Sequence, residues 1–255
     1  MSPGDIGQLV KPFIFLDYVD APGGAGPNFG FHPHSGIATL TFPLTFDMQH
    51  ESSAGRIDVV PQGGVEWVVA GGGIWHRAKP LNSERPDGGR LQAFQLWLAL
   101  SPSHEQGQAQ TLFVQPESVP VCGPVTVLLG SYAGAHSPIF APLDANYFFV
   151  RLRDGETWSF EPPATQDVAW TFARTGALEV SGETLVSELA AFEEGHGAMH
   201  FRARGDSSFL VGTAAKHPHH LVLGPYSVHT SHTALESSAR RISEIRGKLQ
   251  SEGRL

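Results

Sequence analysis

The sequence predicts an all-β protein that ends in one helix. Three observations carry this. Charged residues make up only 16% of the chain, well under the roughly 25% of an average globular protein. Twenty-nine Gly and 19 Pro punctuate the 255 residues. Between them lie short runs rich in β-branched and aromatic residues, bounded by Gly, Pro and Asp, at the spacing of a sandwich or barrel.

In order, the first half gives Phe13 to Tyr18, Ile37 to Phe46, Arg56 to Val60, Val65 to Ala70 and Leu91 to Leu100. The second half repeats the texture at Val125 to Leu129, Asn146 to Arg153, Val168 to Arg174, Gly176 to Val180 and Ser208 to Thr213. Two similar β units in tandem follow. They divide near Gln115 to Gly123, where Pro116 and Pro120 have no N–H to give a strand ladder. This places one barrel at residues 1–115, a second at 123–232 and a tail at 233–255. In the tail, Leu235, Ala239, Ile242, Ile245 and Leu249 recur every three or four residues and make the apolar stripe of a helix packing back on a sheet. Ser231 or Thr233 can cap its start, and Arg246 and Lys248 suit its end, where the helix dipole favours cations.

Charge and cysteine content narrow the function. Seventeen Lys and Arg against 25 Asp and Glu give a net charge of −8, the wrong sign for a protein held to nucleic acid by its phosphates. The single Cys122 has no internal partner, which fits a reducing cytoplasm. Met1 to Val10 has no charged segment leading into an apolar one, and no apolar run approaches the roughly 18 residues of a membrane span. A cytoplasmic protein without membrane association is expected. No phosphate-binding loop, dinucleotide fingerprint or nucleophile elbow is present, and Gly71 to Gly73 reads as a turn between strands.

The 13 histidines are the chemical signal. His32 and His34, separated by Pro33, point to one face of an extended strand. Gly71-Gly72-Gly73-Ile74-Trp75-His76 brings in a third imidazole from another strand. Side chains from different strands converge inside a barrel, so His32, His34 and His76 can offer three ligands to one ion and leave positions open for water, dioxygen or a substrate oxygen. The second cluster, Lys216-His217-Pro218-His219-His220, reads as a surface loop, and His229 and His232 as polar turn residues before the helix. Phe29, Phe31, Phe42, Trp67, Trp75 and Trp97 provide aromatic surface, mostly for core packing, with Trp75 on the opposite strand face from His76.

With Pro12-Phe13-Ile14-Phe15-Leu16-Asp17, His32-Pro33-His34-Ser35-Gly36, Gln49-His50-Glu51-Ser52, Gly64-Val65-Glu66-Trp67, Ala70-Gly71-Gly72-Gly73-Ile74-Trp75-His76 and Phe94-Gln95-Leu96-Trp97 in order, the chain resembles the pirin family of the cupin superfamily. Gly224-Pro225-Tyr226-Ser227-Val228 matches again near the end. The resemblance implies a bicupin, two tandem jelly-roll β-barrels with a metal pocket in the first. Its members include iron-binding nuclear coregulators of animals and bacterial quercetin 2,3-dioxygenases.

The family pattern is broken at one ligand. Pirins hold their metal with three histidines and a glutamate two residues past the third histidine, and here His76-Arg77-Ala78-Lys79 puts Ala78 at that place. The general cupin glutamate after the paired histidines corresponds to Ala38. Strand parity puts both alanines on the pocket face, and Glu66, on the opposite parity from Trp67, is not read as a substitute. Two outcomes stand open. In one, His32, His34 and His76 hold Fe(II) or another divalent transition metal and act on a flavonol or other phenolic, whose anion offsets the missing charge. In the other, the site is degenerate and the chain is a binding or regulatory protein that a protein partner reads.

Overall fold

The computed structural model describes residues 1–24, 29–81 and 89–255. A short helix, α1 (Ile6–Leu9), precedes nine strands: β1 (Phe13–Pro22), β2 (Phe29–His34), β3 (Ile37–Pro43), β4 (Asp47–Ser52), β5 (Ile57–Val60), β6 (Val65–Val69), β7 (Ile74–Leu81), β8 (Arg90–Ala99) and β9 (Gln110–Val114). Ten more follow: β10 (Val121–Cys122), β11 (Val125–Leu129), β12 (Ser131–Tyr132), β13 (Ala135–His136), β14 (Ala145–Leu152), β15 (Thr157–Phe160), β16 (Val168–Val180), β17 (Glu183–Leu185), β18 (Leu189–Ala191) and β19 (Met199–Ala214). The chain closes with β20 (Val222–Gly224), β21 (Ser227–His229) and α2 (His232–Ser251). The all-β class with a terminal helix is therefore observed, as two tandem barrels. Among the described residues, no helix is long and apolar enough to cross a membrane.

Two compact units result. One comprises Phe13–Ser118 with Ser2–Gly4 and His217–Leu255; the other comprises Val119–Lys216 with Asp5–Pro12 and Met1. In the first, a five-stranded sheet (β1-β8-β3-β6-β9) and a four-stranded sheet (β2-β7-β4-β5) form the two walls. Strand β3, Ile-Ala-Thr-Leu-Thr-Phe-Pro, is buried at every position, as expected of a central strand covered on both faces. Strand β4 alternates half-buried and buried residues, the period-two pattern of a strand wetted on one side. The run expected from Ile37 to Phe46 stops at Pro43, and a turn leads to β4.

The second unit is built on β10-β11-β14-β19-β16-β17. The expected Val168–Arg174 and Gly176–Val180 runs are one strand, β16, whose register against β19 shifts on either side of Thr175. Such bulges bend a strand without ending it. Its core gathers Phe148, Trp158, Phe201 and Phe209 among aliphatic side chains.

Helix α2 belongs to the first unit. Ser231 is its N-cap, accepting from the Ala234 N–H at 3.2 Å. Trp75, facing away from His76 as the sequence implied, donates its indole N–H to the carbonyl of Ile242 at 2.9 Å. Gln106 donates to Ser238 Oγ at 2.8 Å and to the Ala234 carbonyl at 3.0 Å.

Candidate metal centre

The site begins with register. Strands β2 and β7 are antiparallel neighbours with His32 opposite His76, and His34 follows two residues along on the same side. The three rings converge, with centroids 4.9 Å apart for His32 and His34, 4.5 Å for His32 and His76, and 5.1 Å for His34 and His76. One nitrogen from each lies within 4.8 Å of the others. His34 and His76 are 2% and 3% exposed.

The second nitrogens fix the tautomers. His34 Nδ1 donates to the Tyr226 carbonyl at 3.0 Å and His32 Nδ1 to the Gly30 carbonyl at 2.8 Å, so Nε2 of each is an unprotonated lone pair. That is the arrangement by which a backbone carbonyl orients a metal-binding imidazole. Neither buried nitrogen of His76 has a hydrogen-bond partner among the described residues, an unusual condition for a native buried polar group. Burial, reinforced by the neighbouring His32 imidazole and opposed by the Tyr226 carbonyl, pushes the His34 pKa down to about 3. Burial and the imidazoles of His34, His32 and His50 lower His76 well below the ordinary value, and burial also lowers His32. The rings are neutral bases at physiological pH, the form that binds metal. The donor set fits a divalent transition ion.

A cavity of about 550 Å³ opens above the rings, within the size range of small-molecule sites. His32, His34 and His76 line it, with Phe31, Phe94 and Trp97 among its aromatic walls. Phe29 also lines it; Phe42 and Trp67 are buried elsewhere, and Trp75 lies against α2. Arg77 turns away from the cavity to pair with Glu51 at 2.5 Å and to cover the Phe31 ring.

Three sequence expectations change. Ala78 does line the cavity, but Ala38 does not. Gly36, at φ +72°, separates the two strands, so side-chain parity cannot be carried from His34 to Ala38, which sits beside Leu40's face of β3 opposite Val69 and Leu98. Glu66, set aside as a substitute, is 1% exposed and lines the cavity. It faces Thr41 across the β3–β6 ladder and accepts from Thr41 Oγ1 at 2.7 Å through Oε2, while Oε1 pairs with His50 Nδ1. His50, on β4, is likewise 1% exposed. No spacing in the sequence marks this pair, because its members sit on strands of the two different sheets and meet only where those sheets face each other.

The third change concerns His229. It is buried on β21, not a turn residue, and its Nδ1 lies 3.2 Å from Glu105 Oε2 while its Nε2 lies 2.9 Å from Ser35 Oγ. Ser35 in turn donates to Ser227 at 2.9 Å. Gly36 permits the approach: a Cβ there would stand 1.9 Å from the Val228 carbonyl oxygen. In the Lys216–His220 run, His217 lies 3.1 Å from the Leu100 carbonyl, and no residue of that run joins a metal-capable group among the described residues.

Comparison with known proteins agrees with this site's setting. The family model for Pirin matches residues 2–98. A "Pirin-like protein" of Caulobacter vibrioides is 28% identical over 228 residues, 80% of this chain and 73% of that protein. A Vibrio cholerae protein named "Putative quercetin 2,3-dioxygenase" is 34% identical over 140 residues, 52% of this chain and 48% of its own length. The crystal structure of quercetin 2,3-dioxygenase from Acinetobacter baumannii superposes with a TM-score of 0.86 at 22% identity, covering 97% of this chain and 89% of that one. Residues 2–98 match the Pirin family, and the chain as a whole is similar in sequence to pirin-like proteins and in fold to the quercetin 2,3-dioxygenase structure.

Proposed function

We propose that this chain is a metal-dependent dioxygenase acting on a flavonol or related phenolic, with His32, His34 and His76 as the residues that hold the ion. The observation that carries the reading is the presentation of three neutral imidazoles at one cavity, two of them held by backbone carbonyls with Nε2 free. Bound there, Fe(II) or another divalent transition metal would act as a Lewis acid toward a phenolate oxygen. The protein's own part is orientation and exclusion of water: Phe31, Phe94 and Trp97 provide flat apolar walls for a planar ring. Lys79, also on the lining, supplies a cation toward an anionic ligand. The anion's charge compensates an ion that three neutral imidazoles leave uncompensated.

The test is oxygen uptake with quercetin by protein reconstituted anaerobically with Fe(II). Uptake that requires metal and disappears in His34→Ala supports the enzyme. A protein that takes up less than about a tenth of an equivalent of any transition metal competes poorly for ions and is instead the binding or regulatory module.

A further inference from the structure

A second group of potential ligands lies against the first. His50 on β4, Glu66 on β6 and His76 on β7 each offer one ligand atom, and these atoms lie within 4.8 Å of one another. All three side chains are buried, at 1%, 1% and 3% exposure. The His50 and His76 rings are 5.2 Å apart. Among the described residues, His50 Nε2 and both His76 nitrogens have no hydrogen-bond partner, although buried polar groups are ordinarily satisfied. Thr41, by holding Glu66 Oε2, fixes the direction of the carboxylate. Ala78 is the cross-strand partner of His50 and sits two residues from His76, so that position brings only a methyl group.

Charge separates the two groups. His32, His34 and His76 carry none when neutral, whereas His50, Glu66 and His76 bring one negative charge, which a divalent ion in a buried site favours. Two imidazoles and a carboxylate are also the donor set that non-haem Fe(II) sites use. Because His76 belongs to both groups, the two positions are alternatives for one ion.

We infer that His50, Glu66 and His76 form a second position for a divalent transition ion, sharing His76 with the cavity histidines, and that Glu66 supplies the carboxylate that Ala78 does not. In the absence of an anionic ligand in the cavity, the ion occupies this position. The inference rests on the reading that the pocket holds a metal, and is independent of the substrate.

Co(II) titration followed by visible absorption distinguishes the possibilities. Wild-type protein, Glu66→Gln, the double variant His32→Ala/His34→Ala and that double variant with Glu66→Gln are compared, with circular dichroism as the control for folding. The double variant is expected to bind one equivalent of Co(II), and the added Glu66→Gln to abolish that binding. In the single Glu66→Gln variant, whose barrel and cavity histidines are intact, affinity is expected to fall by about tenfold or more. Full retention of affinity in Glu66→Gln, or no binding by a folded double variant while wild type binds, overturns the second position and leaves the three-histidine reading standing. No Co(II) binding by the wild type removes both.

Discussion

His34 Nδ1 donates to the backbone carbonyl of Tyr226 across 192 residues of sequence, at 3.0 Å. The orientation of one cavity imidazole thus depends on the return of the chain at β21, which forms a parallel bridge from Ser227 to Ser35. Gly36 is the residue that allows the two segments to touch, since its φ of +72° and bare Cα let the Val228 carbonyl approach. Gly36→Ala is expected to destabilise the protein by more than about 1 kcal/mol from the backbone conformation alone, and to weaken metal binding because the Tyr226 carbonyl moves with β21. Thermal melts and Co(II) titration of the same sample check both effects.

The Glu105 carboxylate is the anchor for that return strand. It accepts from the Thr230 N–H and the Thr230 hydroxyl, each at 2.7 Å, and meets His229 at 3.2 Å. Glu105 is 3% exposed, so water does not replace it when it is removed. Glu105→Ala is expected to cost about 3 kcal/mol or more, because charge-assisted bonds are lost and their donors are left buried. Urea denaturation should show a lower midpoint, and Glu105→Gln, which keeps an acceptor, should recover part of the loss.

Acid should unfold the metal-free protein partly through its cavity histidines. Burial pushes the His34 pKa down to about 3, whereas an unfolded histidine has a value near 6.5. The unfolded state therefore binds more protons between these values, so the stability contribution is fully present above about pH 6.5 and is lost as pH falls toward 3. Urea melts of chelator-treated protein from pH 7 to pH 4 should show stability dropping. In His34→Gln the slope should be shallower by up to about 1.4 kcal/mol per pH unit, one proton's worth. Equal slopes would contradict the neutral, buried assignment.

Local pattern made the architecture and the three cavity histidines readable, for period-two runs, turn residues and the His32-Pro33-His34 spacing all act within a few residues. His76 was within reach because it follows a glycine turn into its own strand. Glu66 and His50 were not, because β6 and β4 belong to different sheets and meet only where those sheets face each other. The same holds for His229, whose partners Ser35 and Glu105 are more than a hundred residues away. Ala38 was misplaced for a local reason: the positive φ at Gly36 breaks the alternation that parity assumes.

Ala78→Glu tests the cavity from the opposite direction. Ala78 lines the cavity, follows His76 by two residues on β7 and stands opposite His50, so a carboxylate there projects toward the same ligands. If charge limits binding, a new anion beside neutral imidazoles raises affinity for a divalent ion, by about tenfold or more for roughly 1.4 kcal/mol of added attraction. Without metal, the same carboxylate comes close to buried Glu66, and two like charges in one pocket destabilise the fold. The variant is expected to melt below wild type in chelator and to gain more stability than wild type on adding Co(II). A gain no larger than that of wild type would mean that Glu66 already satisfies the ion's charge.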